Sequence, residues 1–455
     1  MSALGRVLVL GTGPAAVQLA VLFRQRLQAP VGMAGRRSLR SEPFFAAAQR
    51  QDRRLRAEVQ NRLHERLAGE CALESLHAGI GSVEGSWDTA VLAVTADAYA
   101  SVLEQLPAEV RSGLRRVVLV SPTFGSAGLV RQLLKRLRAA QTRDGGSAAA
   151  DPEIISFSTY LGDTRWSAGG PSAAVLTTGV KRKVYAGSTQ GRTEALDALC
   201  AAWAEAGVRI ETLSSPLEAE TRNISLYVHP PLFFNAFSLD AVFGRAQSPV
   251  YVYKLFPEGP ITPALIRDLH AAWLEIGAIC EALSVPRVNL LKFMTDDCYP
   301  VRPESLSRLE LDRFPELDAV HQQYLLYVRY ASLLIDPYSS PDEQGRYFDF
   351  SAVPIRRLFV DADGRWELPR MPKEDVYRTR ILQGIARRLG VRTPTVDRFL
   401  SLFDERLADA RQELEGQPLS EALLGCDGRD QLELIVQDLP AAAASGTGAP
   451  SAPQA

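Results

Sequence analysis

Cysteine is scarce in this chain: Cys71, Cys200, Cys280, Cys298 and Cys426 are five in 455 residues, an odd number with no CxxC pair. That pattern excludes a disulfide framework and a thiolate zinc site, and it fits reduced thiols in the cytoplasm. An excess of charge is missing too, with 51 Lys and Arg against 53 Asp and Glu. No basic field exists to hold a polyanion, so nucleic acid is not an expected partner. No apolar run approaches the ~20 residues of a bilayer span, so no membrane partner is expected. The first apolar run leads into a glycine turn, not into a signal-peptide cleavage site. Histidine occurs five times, and no metal-ligand constellation is present. The sequence predicts a cytoplasmic chain with small-molecule partners and no bound metal.

What is present is enough apolar residue, 46%, for more than one core at ~100–200 residues per domain. Residues 6–16 read RVLVLGTGPAA, an almost wholly apolar run followed by a glycine turn. This is the pattern of a strand buried on both faces of a parallel sheet. Val17, Leu19, Ala20, Leu22 and Phe23 then fit a helix packed on that sheet. APVGMAG gives a second strand ending at Arg36, and a charged helix is expected from Phe44 to about Leu67. DTAVLAVTAD, RRVVLVSPTFG and EIISFSTYLGD read as further strands, the last running to Asp163. From about Asp197 the periodicity becomes helical, and a small hairpin is expected from YFDFSAVPIRRLFV and RWELP. The fold class is therefore α/β: a Rossmann-type NADP-binding region over residues 1–190, with some return of chain, and a mainly α-helical substrate and dimerisation region over 191–440. Residues 441–455 are low in complexity and read as a disordered tail.

Gly11-x-Gly13-x-x-Ala16 matches the dinucleotide fingerprint. Gly11 permits the tight turn, Gly13 lets the backbone approach a pyrophosphate, and Ala16 keeps the helix close to the strand. Thr12, Pro14 and Ala15 complete the turn. An acid after the second strand would bind the ribose hydroxyls of NAD. This chain instead has Arg36, Arg37, Ser38 and Arg40, with no carboxylate before Glu42. Guanidinium groups pair with a 2′-phosphate, so NADPH is expected over NADH. The missing acid also speaks against an S-adenosylmethionine methyltransferase, and no GxxxxGK[ST] P-loop occurs.

His64, His270 and His321 fall in helical patterns and His77 in a polar connection. His229 differs, because it precedes Pro230 and Pro231, a pair expected to halt regular structure and hold it extended. Asp296 and Asp297 read as solvated loop acids, Tyr324, Tyr327 and Tyr330 as core or dimer packing, and Lys254 and Arg302 as holders of substrate carboxylates.

VLGTGP, VTADAY, LVSPTFGS, ISFSTYLGDTRW, LTTGVKRKVY, RNISLYVHPPLF, VYVYKLFPEGPIT and QYLLYVRY together resemble the staphylopine dehydrogenase family, from the first strand to about residue 400. The tail beyond about residue 415 shows no such likeness. The resemblance implies reductive condensation of a histidine-aminobutyrate amine with a 2-oxo acid by an NADPH-dependent opine-type dehydrogenase, giving a metal-chelating opine. It assigns the catalytic histidine to His229, an active-site aspartate to Asp163, the phosphate turn to Gly11–Ala15 and NADP selection to Arg36. The family also uses a lysine just beyond that arginine, where this chain has Arg40. A histidine suits proton transfer near neutral pH, and Asp163 would orient His229 or the amine. A carboxylate at residue 163 would disfavour a second carboxylate on the oxo acid, so pyruvate is expected over 2-oxoglutarate. A homodimer is expected. Two other classes compete: the methyltransferase, and a non-catalytic NADP sensor on the same fold.

Overall fold

A computed structural model describes residues 2–143, 150–298, 300–335, 353–425 and 428–439. Its main sheet begins with β1 (Val7–Leu10) and β2 (Val31–Gly35), both buried along their whole length. The chain then leaves this sheet for β3 (Arg54–Val59) and β4 (Gly69–Ala72), and returns as β5 (Ser75–Ala78), β6 (Thr89–Leu92), β7 (Arg116–Leu119) and β8 (Glu153–Phe157). A second excursion forms β9 (Gly162–Trp166) and β10 (Ala174–Val180), before β11 (Lys183–Ser188) and β12 (Arg209–Thr212) rejoin the main sheet. The eight strands lie in the order β12-β11-β8-β7-β6-β1-β2-β5. From β5 through β8 they are parallel and follow the dinucleotide-binding order, which reverses direction between β1 and β6. The sheet continues past residue 190, since β12 pairs with β11 over Arg209–Thr212.

The two excursions form a second sheet, β4-β3-β10-β9. It packs on the Pro14–Arg26 helix, where buried Gln18 donates to the Leu67 carbonyl and accepts from Thr177 Oγ1, both at 2.8 Å. The segment Phe44–Leu67, expected as one helix, is therefore three elements. A helix spans Glu42–Arg50, β3 follows, and a 3₁₀ turn covers Arg62–Leu67. Asp52 and Arg53 adopt positive φ and end the helix. Leu55 and Ala57 are then buried between exposed Arg54 and Arg56, a period of two that belongs to a strand. EIISFSTYLGD likewise splits, with β8 in the main sheet and β9 in the second.

The remainder is mainly helical, with long helices at Pro263–Ala282, Ala319–Ile335, Arg370–Leu389 and Pro394–Glu413. Their apolar faces join Leu8, Leu92 and Leu119 of the main sheet in one continuous core. Part of the expected hairpin is present as Phe359–Val360 against Trp366–Glu367. Residues 336–352 and the tail 441–455 lie outside the described residues. Among the described residues, no helix is long and apolar enough to cross a membrane, and no group of side chains is placed to hold a metal ion.

Candidate active site

The glycine turn sits at the carboxyl end of β1. Gly11 has φ 137°, and a Cβ there would lie 2.5 Å from the Ala93 carbonyl oxygen, so the position admits glycine alone. Gly13 is the N-cap of the Pro14–Arg26 helix, no side chain caps that end, and a Cβ on Gly13 would meet nothing within 4 Å. The amide end of the helix therefore faces open space, as a bound pyrophosphate requires. Pro14 fits the first turn because it needs no N–H there, and Ala16 is buried against the sheet.

The arginine segment follows β2 directly. A Cβ on Gly35 would lie 2.3 Å from Thr12 Cγ2, so the strand end that launches Arg36 touches the glycine turn itself. Ser41 Oγ donates to the Arg36 carbonyl at 2.7 Å and accepts the Ser38 N–H at 3.0 Å, closing the loop. Arg36, Arg37 and Arg40 are exposed on it, with Arg37 Nε 3.7 Å from Glu42. The residues present fit an adenosine 2′-phosphate and offer no acid for a free ribose hydroxyl.

His229 lies in the Ser225–Phe233 helix, which runs through Pro230 and Pro231. The expected extended conformation is thus corrected. Prolines at these positions give up the hydrogen bonds to the Leu226 and Tyr227 carbonyls. Burial of Leu226, Tyr227, Val228, Leu232 and Phe233 holds the helix nonetheless. Asn223 Nδ2 donates to the Pro122 carbonyl, tying this helix to the loop after β7.

The carboxylate beside His229 is Asp375, not Asp163. His229 Nδ1 and Asp375 Oδ1 are 2.9 Å apart, with the side chains 12% and 1% exposed. Tyr253 Oη lies 3.4 Å from Nε2, and Phe233 packs edge-on against the ring. Burial alone would raise the Asp375 carboxyl, but His229 and Arg378, whose Nη1 is 2.6 Å away, outweigh it and hold it below the ordinary carboxylate range. An ionised Asp375 fixes the proton of His229 on Nδ1 and leaves Nε2 to exchange protons. The sequence reading missed Asp375. Its signal was a charged residue on the buried stripe of the Arg370–Leu389 helix, in register with Arg378, Thr379 and Leu382.

Asp163 is exposed on β9 and accepts the Thr178 hydroxyl at 2.9 Å. Asp297, expected in solvent, is buried in a π-helical turn at Phe293–Cys298 with Lys183 Nζ at 2.8 Å, whereas Asp296 pairs with Arg308 at 2.9 Å. Lys254 is engaged by Glu258 at 2.9 Å. Tyr330 is core and Tyr324 is exposed. His270 is buried on Gln322, and His77 bonds Ser75 and Ser82.

A profile described as staphylopine dehydrogenase matches residues 5–439. The match reaches through the Arg429–Asp438 helix, beyond the limit near residue 415 expected from the motifs. The chain is similar to the staphylopine synthase of Staphylococcus aureus strain Mu50, 43% identical over 419 residues, covering 92% of this chain and 94% of that protein. It is similar to the pseudopaline synthase of Pseudomonas aeruginosa strain UCBPP-PA14, 36% identical over 89% of this chain and 90% of that protein. Among solved structures, the NADP+-bound yersinopine dehydrogenase superposes with a TM-score of 0.86 at 32% identity, covering 96% of this chain and 99% of that one.

Proposed function

Because this chain belongs to the staphylopine dehydrogenase family, we propose that it joins a histidine-aminobutyrate amine to a 2-oxo acid, preferably pyruvate, by NADPH-dependent reductive condensation. The observation that carries this reading is the contact between half-buried His229 and buried Asp375 at 2.9 Å. The glycine turn and the Arg36–Arg40 loop are the residues that would hold the coenzyme, whose bound form supplies the hydride that reduces a carbon–nitrogen double bond.

The rest of the chemistry is proton traffic. The amine attacks the ketone carbon and forms a carbinolamine. That intermediate loses its hydroxyl as water to give the imine. His229 Nε2 accepts the amine proton during attack, the one proton taken up from solvent converts the carbonyl oxygen to the hydroxyl, and the imidazolium then protonates that hydroxyl as it leaves as water. Asp375 stabilises the imidazolium that forms in between. Overall, amine, oxo acid, NADPH and one proton become opine, NADP+ and water.

Asp163 supports the preference for pyruvate. A second carboxylate brought to within a few ångström of it would meet a like charge, which disfavours the dicarboxylate. The balanced charge and scattered thiols support a cytoplasmic enzyme, and twofold association is the simplest assembly.

The test is mass spectrometry of the product formed from NADPH, the histidine-derived amine and an equimolar mixture of pyruvate and 2-oxoglutarate. A pyruvate-derived opine is expected. Absence of NADPH oxidation with either oxo acid would overturn the function, and a 2-oxoglutarate product would overturn the substrate preference alone.

A further inference from the structure

Lys181, in the turn from β10 to β11, and Lys183, the first residue of β11, have unlike surroundings. Lys183 Nζ lies 2.8 Å from Asp297 Oδ1 and 3.3 Å from Glu211 Oε2, and Tyr185 donates its hydroxyl hydrogen to Asp297 Oδ2. The charge of Lys183 is therefore balanced within the fold. Lys181 Nζ instead donates to a neutral oxygen, Thr159 Oγ1, at 2.9 Å. Among the described residues no carboxylate acts on it; the neighbouring titratable group is the Cys298 thiol.

The position of Lys181 is informative. Its backbone N–H donates to the Leu161 carbonyl at 2.8 Å. This seats it on the segment leaving the carboxyl edge of β8, where ligands of such sheets gather. The neighbouring strand is β7, whose following loop holds the His229 helix through Asn223 and Pro122. The Phe293–Cys298 turn lies on the other side. Its Phe293 ring meets Tyr185 and Tyr227 at 6.3 and 6.4 Å between centroids, and Tyr227 is two residues before His229. On the β9–β10 ladder, the rungs beside Lys181 are Val180↔Gly162 and Gly179↔Asp163. Lys181 thus stands where the sheet edge, the π-helical turn and the Asp163 strand converge, and the Phe293–Tyr227 ring contact joins that turn to the His229 helix.

Lys181 is half-buried and its ammonium donates to a neutral hydroxyl, so a carboxylate partner would supply the compensating charge this position lacks. Burial also pushes Lys181 below the ordinary lysine range. Both substrates of the proposed reaction carry carboxylates that must be held while their carbon and nitrogen meet.

We propose that Lys181 binds a substrate carboxylate and is a specificity-determining residue of this site. The inference rests on the reaction proposed above, and its ligand class is an α-carboxylate of either the amine or the 2-oxo acid.

The experiment compares wild type, Lys181→Met and Lys181→Arg in steady-state kinetics, varying the amine at saturating pyruvate and then pyruvate at saturating amine. NADPH affinity is measured by fluorescence titration and folding by Tm. Loss of one charge-assisted contact should raise KM for one substrate about 10- to 100-fold in Lys181→Met. NADPH affinity should stay unchanged, and Lys181→Arg should recover part of the loss. The KM that moves identifies the substrate whose carboxylate is held. Both KM values within twofold of wild type would overturn the proposal. So would parallel loss of NADPH affinity and Tm, the signature of a packing residue. If wild type oxidises no NADPH with amine and oxo acid, the proposed reaction itself fails. The lysine is then read by isothermal titration of pyruvate and of the amine into the NADP+-loaded wild type and Lys181→Met, where equal or absent binding overturns it.

Discussion

His229 Nδ1 and Asp375 Oδ1 lie 2.9 Å apart on helices whose residues are separated by 146 positions. Asp375→Asn keeps the volume but removes the charge that fixes the ring proton. It should lower kcat by about 10²–10⁴-fold, and His229→Ala should do the same, since the two act as a unit. NADPH affinity should be retained in both, as measured by fluorescence titration. Because its folded pKa is depressed, Asp375 contributes stability that is present above the ordinary carboxylate range and lost only as pH falls through the lower value. Removing the charge should therefore cost Tm at neutral pH.

Glu220 gives the opposite pH dependence. It is fully buried at the start of the Ser126–Arg143 helix, accepting from Gly125 N and Ala127 N at 2.8 Å and from Ser156 Oγ at 2.9 Å. Burial outweighs these bonds and pushes its carboxyl up to about 8. The folded state then binds more protons than the unfolded chain between the ordinary carboxylate value and about 8, so stability falls as pH rises through that window. Tm measured from pH 5 to 8 should decline more steeply in wild type than in Glu220→Gln. Equal slopes would refute this.

Gly11 and Gly13 should separate folding from coenzyme binding. Gly11→Ala forces a Cβ toward the Ala93 carbonyl at positive φ, a strain of about 1–3 kcal/mol, and should lower Tm. Gly13→Val adds atoms to open space in front of the helix amides. It should leave Tm near wild type and abolish NADPH binding.

Arg36 leaves β2 beside Thr12. Arg36→Ala should raise KM for NADPH about 10-fold or more by losing a charge-assisted contact, with little change for NADH. An equal loss for both coenzymes would remove the phosphate role.

Asp163 sets the choice of oxo acid if its charge repels a second carboxylate. Asp163→Ala should raise kcat/KM for 2-oxoglutarate relative to pyruvate by about 10-fold, roughly 1.4 kcal/mol. An unchanged ratio would sink the charge argument.

What the sequence determined by itself is local. The apolar run, the Gly11 and Gly13 turn, the absence of an acid before Glu42 and the later helical periodicity each act over a few residues, and there short-range sterics and burial decide the conformation. Tertiary structure alone decided the rest. The Arg54–Val59 strand departs from its expected helix because it finds partners in β4 and β10. His229 stays helical through two prolines because its apolar neighbours are buried. The carboxylate that serves His229 comes from residue 375 and not from 163, and Lys183 is neutralised by Asp297 while Lys181 is not. Which charges meet depends on how distant elements pack, and desolvation fixes the energy of those meetings only once the core has closed.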